Sequence, residues 1–172
     1  MTERVITGLD PDTSTARFKD GGTIGYELFL GVPIHRVPEV VRQAGLSENG
    51  WIPVDETNLA TRYPGVYAIG DVTSAPVPKA GVFAESAARA VAEHLVAKIR
   101  GTGEPKPFDG QGSCYVEFGD RLVGRMDANF FPGTKATAPF TPPSKAVARE
   151  KEEFAASRQI RWLGPKLKRP GR

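Results

Sequence analysis

The chain is nearly without cysteine: Cys114 stands alone among 172 residues. One thiol cannot form an intrachain disulfide, so nothing in the sequence depends on an oxidising compartment. No apolar run reaches the roughly 18 residues that a membrane-spanning helix requires. The N-terminus lacks a basic segment followed by an apolar one, so no secretory signal is visible and a cytoplasmic protein is expected. The two histidines, His35 and His94, lie far apart and far from Cys114, so no metal site is expected. Also missing is a Gly-x-Gly-x-x-Gly loop. The densest glycine cluster, Gly21-Gly22-Thr23-Ile24-Gly25, has the wrong order, precedes no helical pattern, and reads as a hairpin or turn.

What is present is an ordinary globular composition, 40% apolar, with a net charge of +3. The charge is unevenly placed. Ser157 to Arg172 carries Arg158, Arg161, Lys166, Lys168, Arg169 and Arg172 and no acid. A solvated, frayed tail is one reading. Peripheral contact with anionic lipid on the inner membrane face is the other, at about 1 kcal/mol per basic residue. Trp162 and Leu163 suit such an interface, although Gly164-Pro165 ends any helix there. Nothing accompanies the charge that would read nucleic acid.

Along the chain, Val5-Ile6-Thr7 and Thr15 to Phe18 predict short strands around an Asp-Pro-Asp turn, with Asp20-Gly21-Gly22 as a second turn. The apolar run Tyr26 to Val32, ended by Pro33, predicts a buried strand of a parallel sheet. Pro38 to Ala44 predicts a short helix with Gly45 past its end. Gly50 to Asp55 predicts a short bent strand. Thr61 to Gly65 is a turn and Val66 to Ile69 an apolar strand ending at Gly70-Asp71. A helix from about Gly81 to Arg100 follows, with apolar residues at 84, 87, 88, 91, 92, 95, 96 and 99 on one stripe, stopped by Gly101. Residues 101–110 read as a linker. Ser113 to Phe118 and Arg121 to Met126 form a hairpin about a tight Gly119-Asp120 turn. Residues 132–144 read as a proline-rich loop. Ser144 caps a helix to Gln159 with Ala146, Val147, Glu150, Phe154 and Ala155 near one face.

An apolar strand ending in Gly-Asp before a long helix can face a ligand, because open α/β sheets bind ligands beyond their strands' carboxyl ends. Gly70 admits close backbone approach, Asp71 offers two acceptor oxygens to hydroxyls, and the helix start at Ala80 and Gly81 offers unpaired N–H groups. On spacing alone, a structural turn remains the simpler reading.

The residues Thr61-Arg-Tyr-Pro-Gly-Val-Tyr-Ala-Ile-Gly-Asp71 resemble the second FAD motif of the pyridine-nucleotide-disulfide oxidoreductase superfamily. Tyr26 to Pro33 resembles the strand leading back to that superfamily's FAD domain, and Gly50 to Asp55 the segment before the motif. Pro78 to Gly81 and Phe108 to Tyr115 resemble the branch of sulfide:quinone reductases, flavocytochrome sulfide dehydrogenases and type II NADH dehydrogenases. The resemblance implies an α/β fold: a partial FAD/NAD(P)-binding Rossmann-like domain followed by a small α+β C-terminal region. It divides the chain into the end of an NAD(P)-binding-like insertion (1–34), the C-terminal half of an FAD-binding domain (35–103) and a hairpin-and-helix region with a basic tail (104–172).

The resemblance implies that Gly70 and Asp71 hold the FAD ribitol and that Ala80 and Gly81 face the flavin ring. Lys79 is then a catalytic candidate near flavin and quinone, with a solvent-exposed loop lysine as the alternative. The implied function is the C-terminal part of an oxidoreductase passing electrons from NAD(P)H through FAD to a quinone or other small-molecule acceptor. The chain departs from the superfamily twice. The missing glycine-rich loop implies that a separate N-terminal half or another copy completes the FAD site, so the chain is not self-sufficient; a non-catalytic remnant or partner subunit is the alternative. Sulfide-oxidising members also carry a redox cysteine after Gly-Asp, where this chain has Val72, Thr73 and Ser74. Cys114 reads instead as a small buried core residue, His35 as a loop or cap residue, and His94 as outward-facing.

Overall fold

A computed structural model describes residues 4–32, 34–131 and 136–165. The architecture is mixed α/β and divides into two units, Met1–His35 and Arg36–Arg172.

The first unit is a three-stranded antiparallel meander: β1 (Ile6–Asp10), β2 (Thr15–Phe18) and β3 (Thr23–Gly25). Its first turn is set by Asp10, whose Oδ1 accepts the Asp12 and Thr13 N–H groups at 3.1 and 3.2 Å. Ala16 and Phe18 are buried on one face of β2. Both turns and the first two strands follow the sequence reading. Tyr26 to Val32 does not: it forms no strand, and Leu28, Leu30 and Val32 are each at least 75% exposed. A strand exists only through its neighbours' hydrogen bonds, and among the described residues none runs beside this segment.

The second unit begins with α1 (Glu39–Gln43), preceded by Pro38 and followed by Gly45 in the left-handed region. Its core gathers Leu59, Ala75, Phe83, Ala87, Ala90, Val91, Phe108 and Ala128, with Phe130 and Phe131 packed against them. Edge-to-face pairs join Phe83 to Phe130 at 5.6 Å and Phe108 to Phe131 at 5.3 Å. Phe108 thus gives the 101–110 connection a buried anchor that its polar composition hides.

The long helix α2 spans Gly81–Arg100, and Gly101 closes it at φ 67°. Ala87 and Val91 are buried as the spacing predicts. Phe83 and Ala90 join them, whereas Ala92, Val96 and Ile99 are exposed, so the buried stripe is turned toward the residue-83 side. The helix approaches the second sheet closely because position 112 has no side chain; a Cβ there would lie 2.7 Å from the Phe83 ring.

That sheet has the order β4 (Gln111–Glu117), β5 (Val123–Asn129), β6 (Phe140–Ser144), all antiparallel. The hairpin is where the sequence places it, but its turn is wider than Gly-Asp: Phe118 N–H reaches Leu122 O, and Gly119, Asp120 and Arg121 all have positive φ. β6 corrects the expected loop at 132–144. Pro142 and Pro143 disguise it, and they are tolerated because β6 is an edge strand. Cys114 is exposed on β4 opposite Met126, which corrects its reading as a core residue.

The last helix, α3 (Lys145–Leu163), starts at Ser144, whose Oγ accepts the Val147 N–H at 3.1 Å. Val147 is buried, and Phe154 meets Tyr115 at 5.4 Å. The helix passes the expected end at Gln159 and stops before Gly164. Arg158 and Arg161 are therefore helical rather than frayed. Lys166, Lys168, Arg169 and Arg172 lie outside the described residues, as does Pro33.

Candidate functional site

The site is built from the bottom by Asp55. Its Oδ1 accepts the Thr57 hydroxyl at 2.6 Å and the N–H groups of Thr57 and Asn58 at 2.9 and 3.0 Å. The Thr57 hydroxyl, then the two backbone donors, hold the Asp55 carboxyl below its ordinary value. The turn delivers Leu59, fully buried with φ 60°, into the core. Leu59 O then accepts the Ala68 N–H at 3.1 Å, while Thr61 Oγ1 donates to Val66 O at 2.9 Å. Only Tyr67 makes a strand bridge, to Ala60, so the expected strand Val66 to Ile69 is reduced to one pair; regular neighbours for it are absent among the described residues.

Gly70 has φ 73°, a conformation that costs most residues free energy, and a Cβ there would stand 3.4 Å from the Ala84 Cβ. Gly70–Val72 forms a 3₁₀ turn. Thr73, itself buried, closes it by donating both its N–H and its hydroxyl to Gly70 O, at 3.2 and 3.0 Å. Thr73 also pairs with Ile52 in parallel: Ile52 N–H reaches Val72 O at 2.8 Å and Ser74 N–H reaches Ile52 O at 2.9 Å. Asp71 is exposed at the rim, and no donor reaches its carboxylate among the described residues.

Lys79 is not a solvent-exposed loop residue. Its Nζ donates to Thr73 O at 2.6 Å and to Ala75 O at 3.3 Å, and lies 4.5 Å from the centre of the Trp51 ring. Burial pushes this ammonium below the usual lysine range, opposed by the nearby Asp71 charge. Ala80 then caps α2 in extended conformation, its carbonyl accepting the Phe83 and Ala84 N–H groups. The N–H groups of Gly81 and Val82 have no acceptor among the described residues, as expected for a first helical turn. A Cβ at Gly81 would meet nothing within 4 Å, so the helix start is open.

These parts bring Gly70, Asp71, Lys79 and Ala80 around one small cavity of about 10 Å³, floored by Leu59, Thr73, Phe83 and Phe108; Gly81 follows on the helix but does not line it. That is room for about one water molecule. A ring system cannot enter it. The exposed Asp71 carboxylate and the open first turn of α2 offer acceptor oxygens and N–H donors, the groups that a ribitol chain and a pyrimidine edge would take. No cradle for a dinucleotide's pyrophosphate stands among the described residues. His35 is exposed in the first unit, and His94 packs on Tyr67 at a ring distance of 5.8 Å rather than facing outward. Among the described residues no three potential metal-binding side chains converge. Sequence reasoning missed Trp51, Leu59 and Thr73 as supports, since each acts through contacts remote in sequence or through backbone conformation.

No family model matches the chain. It is 30% identical over 146 residues to mitochondrial sulfide:quinone oxidoreductase of Mus musculus, covering 80% of this chain and 32% of that protein. It is 28% identical over 91 residues to the Schizosaccharomyces pombe counterpart, covering 52% of this chain and 20% of the relative. The chain therefore spans a third or less of the curated relatives it matches. Among solved structures, sulfide:quinone oxidoreductase of Aquifex aeolicus matches with a TM-score of 0.70 and 22% identity, over 92% of this chain and 41% of that one. A chain in the Tetrahymena thermophila mitochondrial ATP synthase structure matches at 0.55 and 21%, over 73% of this chain and 32% of that one. The chain thus shares an α/β fold with part of a solved sulfide:quinone oxidoreductase, and most of its sequence is similar to part of a curated one.

Proposed function

We propose that the chain is the C-terminal portion of an FAD-dependent oxidoreductase that passes electrons to a quinone. One observation carries this reading: the Gly70-Asp71 turn, ending the FAD-motif match, stands beside the open first turn of α2. Asp71 binds ribitol hydroxyls, and the N–H groups near Ala80 and Gly81 face the pyrimidine edge of the flavin. The bound flavin supplies the redox chemistry; the chain supplies orientation and electrostatics. Residues 35–103 serve as half of the FAD domain, 1–34 as the end of the nucleotide-binding insertion, and 104–172 as the C-terminal region.

The quinone acceptor is carried over from the names of the relatives. A nicotinamide donor finds no support in those names, which give sulfide. Val72, Thr73 and Ser74 in turn offer no thiol to take up sulfur.

The experiment is titration of FAD into the chain, alone and co-expressed with the product of the adjacent upstream reading frame, followed by flavin absorbance and fluorescence. Binding in the assembly should weaken by about 1–3 kcal/mol in Asp71→Ala, the loss of a hydrogen bond to a charged group. An assembly that never holds flavin sinks the reading and leaves the non-catalytic partner or remnant.

A further inference from the structure

We propose that Lys79 is a positioning residue: together with Trp51 it clamps the Thr73–Lys79 loop shut and so fixes the separation of Asp71 from Gly81. The inference deepens the flavin reading and rests on it for its meaning in cofactor binding, but the clamp itself can be tested without flavin.

An ammonium has three donors. Two are directed at carbonyls on Lys79's own loop, Thr73 O at 2.6 Å and Ala75 O at 3.3 Å. Trp51 covers the group at 4.5 Å from its ring centre, a distance at which the ring face attracts a cation. The ring is fixed in turn, because Trp51 and Glu48 exchange backbone hydrogen bonds at 2.7 and 3.0 Å. Neighbouring Ile52 pairs with Thr73, so the ring and one end of the loop move as a unit.

The Thr73 carbonyl receives no backbone donor among the described residues; Lys79 is its partner. Ala75 O also has the Val77 N–H at 2.8 Å and depends less on the lysine. Removing the ammonium therefore leaves the carbonyl of a buried residue unpaired, which the loop can relieve only by opening. The loop begins two residues after Asp71 and ends two residues before Gly81. Opening it moves the two edges of the rim apart. A lysine with two of its three donors on its own loop, one of them the sole partner of the Thr73 carbonyl among the described residues, works through that loop.

The test is amide hydrogen exchange on the full chain. Lys79→Met should speed exchange across residues 71–82 by about fivefold or more, and Trp51→Leu by a smaller factor of about two or more, because it leaves the two ammonium hydrogen bonds in place. The double variant should not exceed Lys79→Met by much, because the Trp51 ring acts on the loop only through the ammonium. Trp51→Phe, which keeps a ring face, should retain most of the protection, and Leu95 to Arg100 at the far end of α2 should be unchanged in every variant. Unchanged exchange in Lys79→Met overturns the clamp. So does a Trp51→Leu variant that exchanges at the wild-type rate. FAD is titrated separately into the co-expressed assembly: failure of the wild type to bind defeats the flavin reading, while the exchange data still decide the clamp.

Discussion

The Asp55 carboxylate accepts three donors from the two residues Thr57 and Asn58, and this short turn aims Leu59 into the core. Because the donors hold its pKa below the ordinary 3.8, Asp55 stabilises the folded state above that pH, and the contribution is lost as pH falls through the depressed value. Asp55→Asn should therefore lower the urea midpoint at neutral pH, and the gap from wild type should close at strongly acid pH. A gap that persists undiminished into acid would show that the charge is irrelevant to the turn. Leu59 tests the same turn from the apolar side. It is fully buried beneath the rim with φ 60°, so Leu59→Ala should cost about 2–5 kcal/mol in chemical denaturation. Leu59→Gly relieves the backbone but leaves the same void, so it should recover only a small part of that loss. None of this was legible in the sequence. Gly50 to Asp55 reads as a short bent strand, and nothing in its composition announces the positive φ and the burial of Leu59 that follow.

Elements whose signals are local were legible. The helix Gly81–Arg100 matches its reading at both ends, because apolar spacing and a terminal glycine are properties of the segment itself. The same holds for the Ser144 cap. Elements defined by partners were not legible: Tyr26 to Val32 has strand composition without a neighbour, and β6 is a strand despite Pro142 and Pro143. The end of α3 depends on a distant partner as well. Glu85, 12% exposed, accepts Arg158 Nε and Arg161 Nη1 at 2.9 Å each, with Arg89 at 3.7 Å. Arg158 also stacks on Phe154. Glu85→Ala leaves the half-buried Arg158 without its carboxylate and should cost about 1–3 kcal/mol, with faster amide exchange from Arg158 to Leu163. Arg161 is more exposed and should cost less than about 1 kcal/mol when replaced by alanine. If the two substitutions prove equal, the bridge is a surface pair and does not anchor the helix end.

At the scale of the whole molecule, Gly70, Asp71, Lys79 and Ala80 come together in the second unit because one contiguous stretch of chain folds on itself. The boundary between the two units falls between His35 and Arg36. That boundary has a chemical consequence. Tyr26 to Val32 is without regular structure, Leu28, Leu30, Val32 and Ile34 are each at least 75% exposed, and Arg36 opens the second unit. Proteases need an extended, accessible backbone, and the paired strands of β1–β3 and β4–β6 deny them one. Trypsin should therefore make its first cut between the two units after Arg36, releasing a fragment that begins at Val37. The fragment retains the buried set Leu59, Phe83, Ala87, Val91 and Phe108, so its helical circular dichroism should survive the cut. First cleavage at Arg121 or Arg125 instead would mean that the β4–β5 hairpin opens more readily than the segment joining the units. In that case the stability of the second unit could not rest on the core described for it.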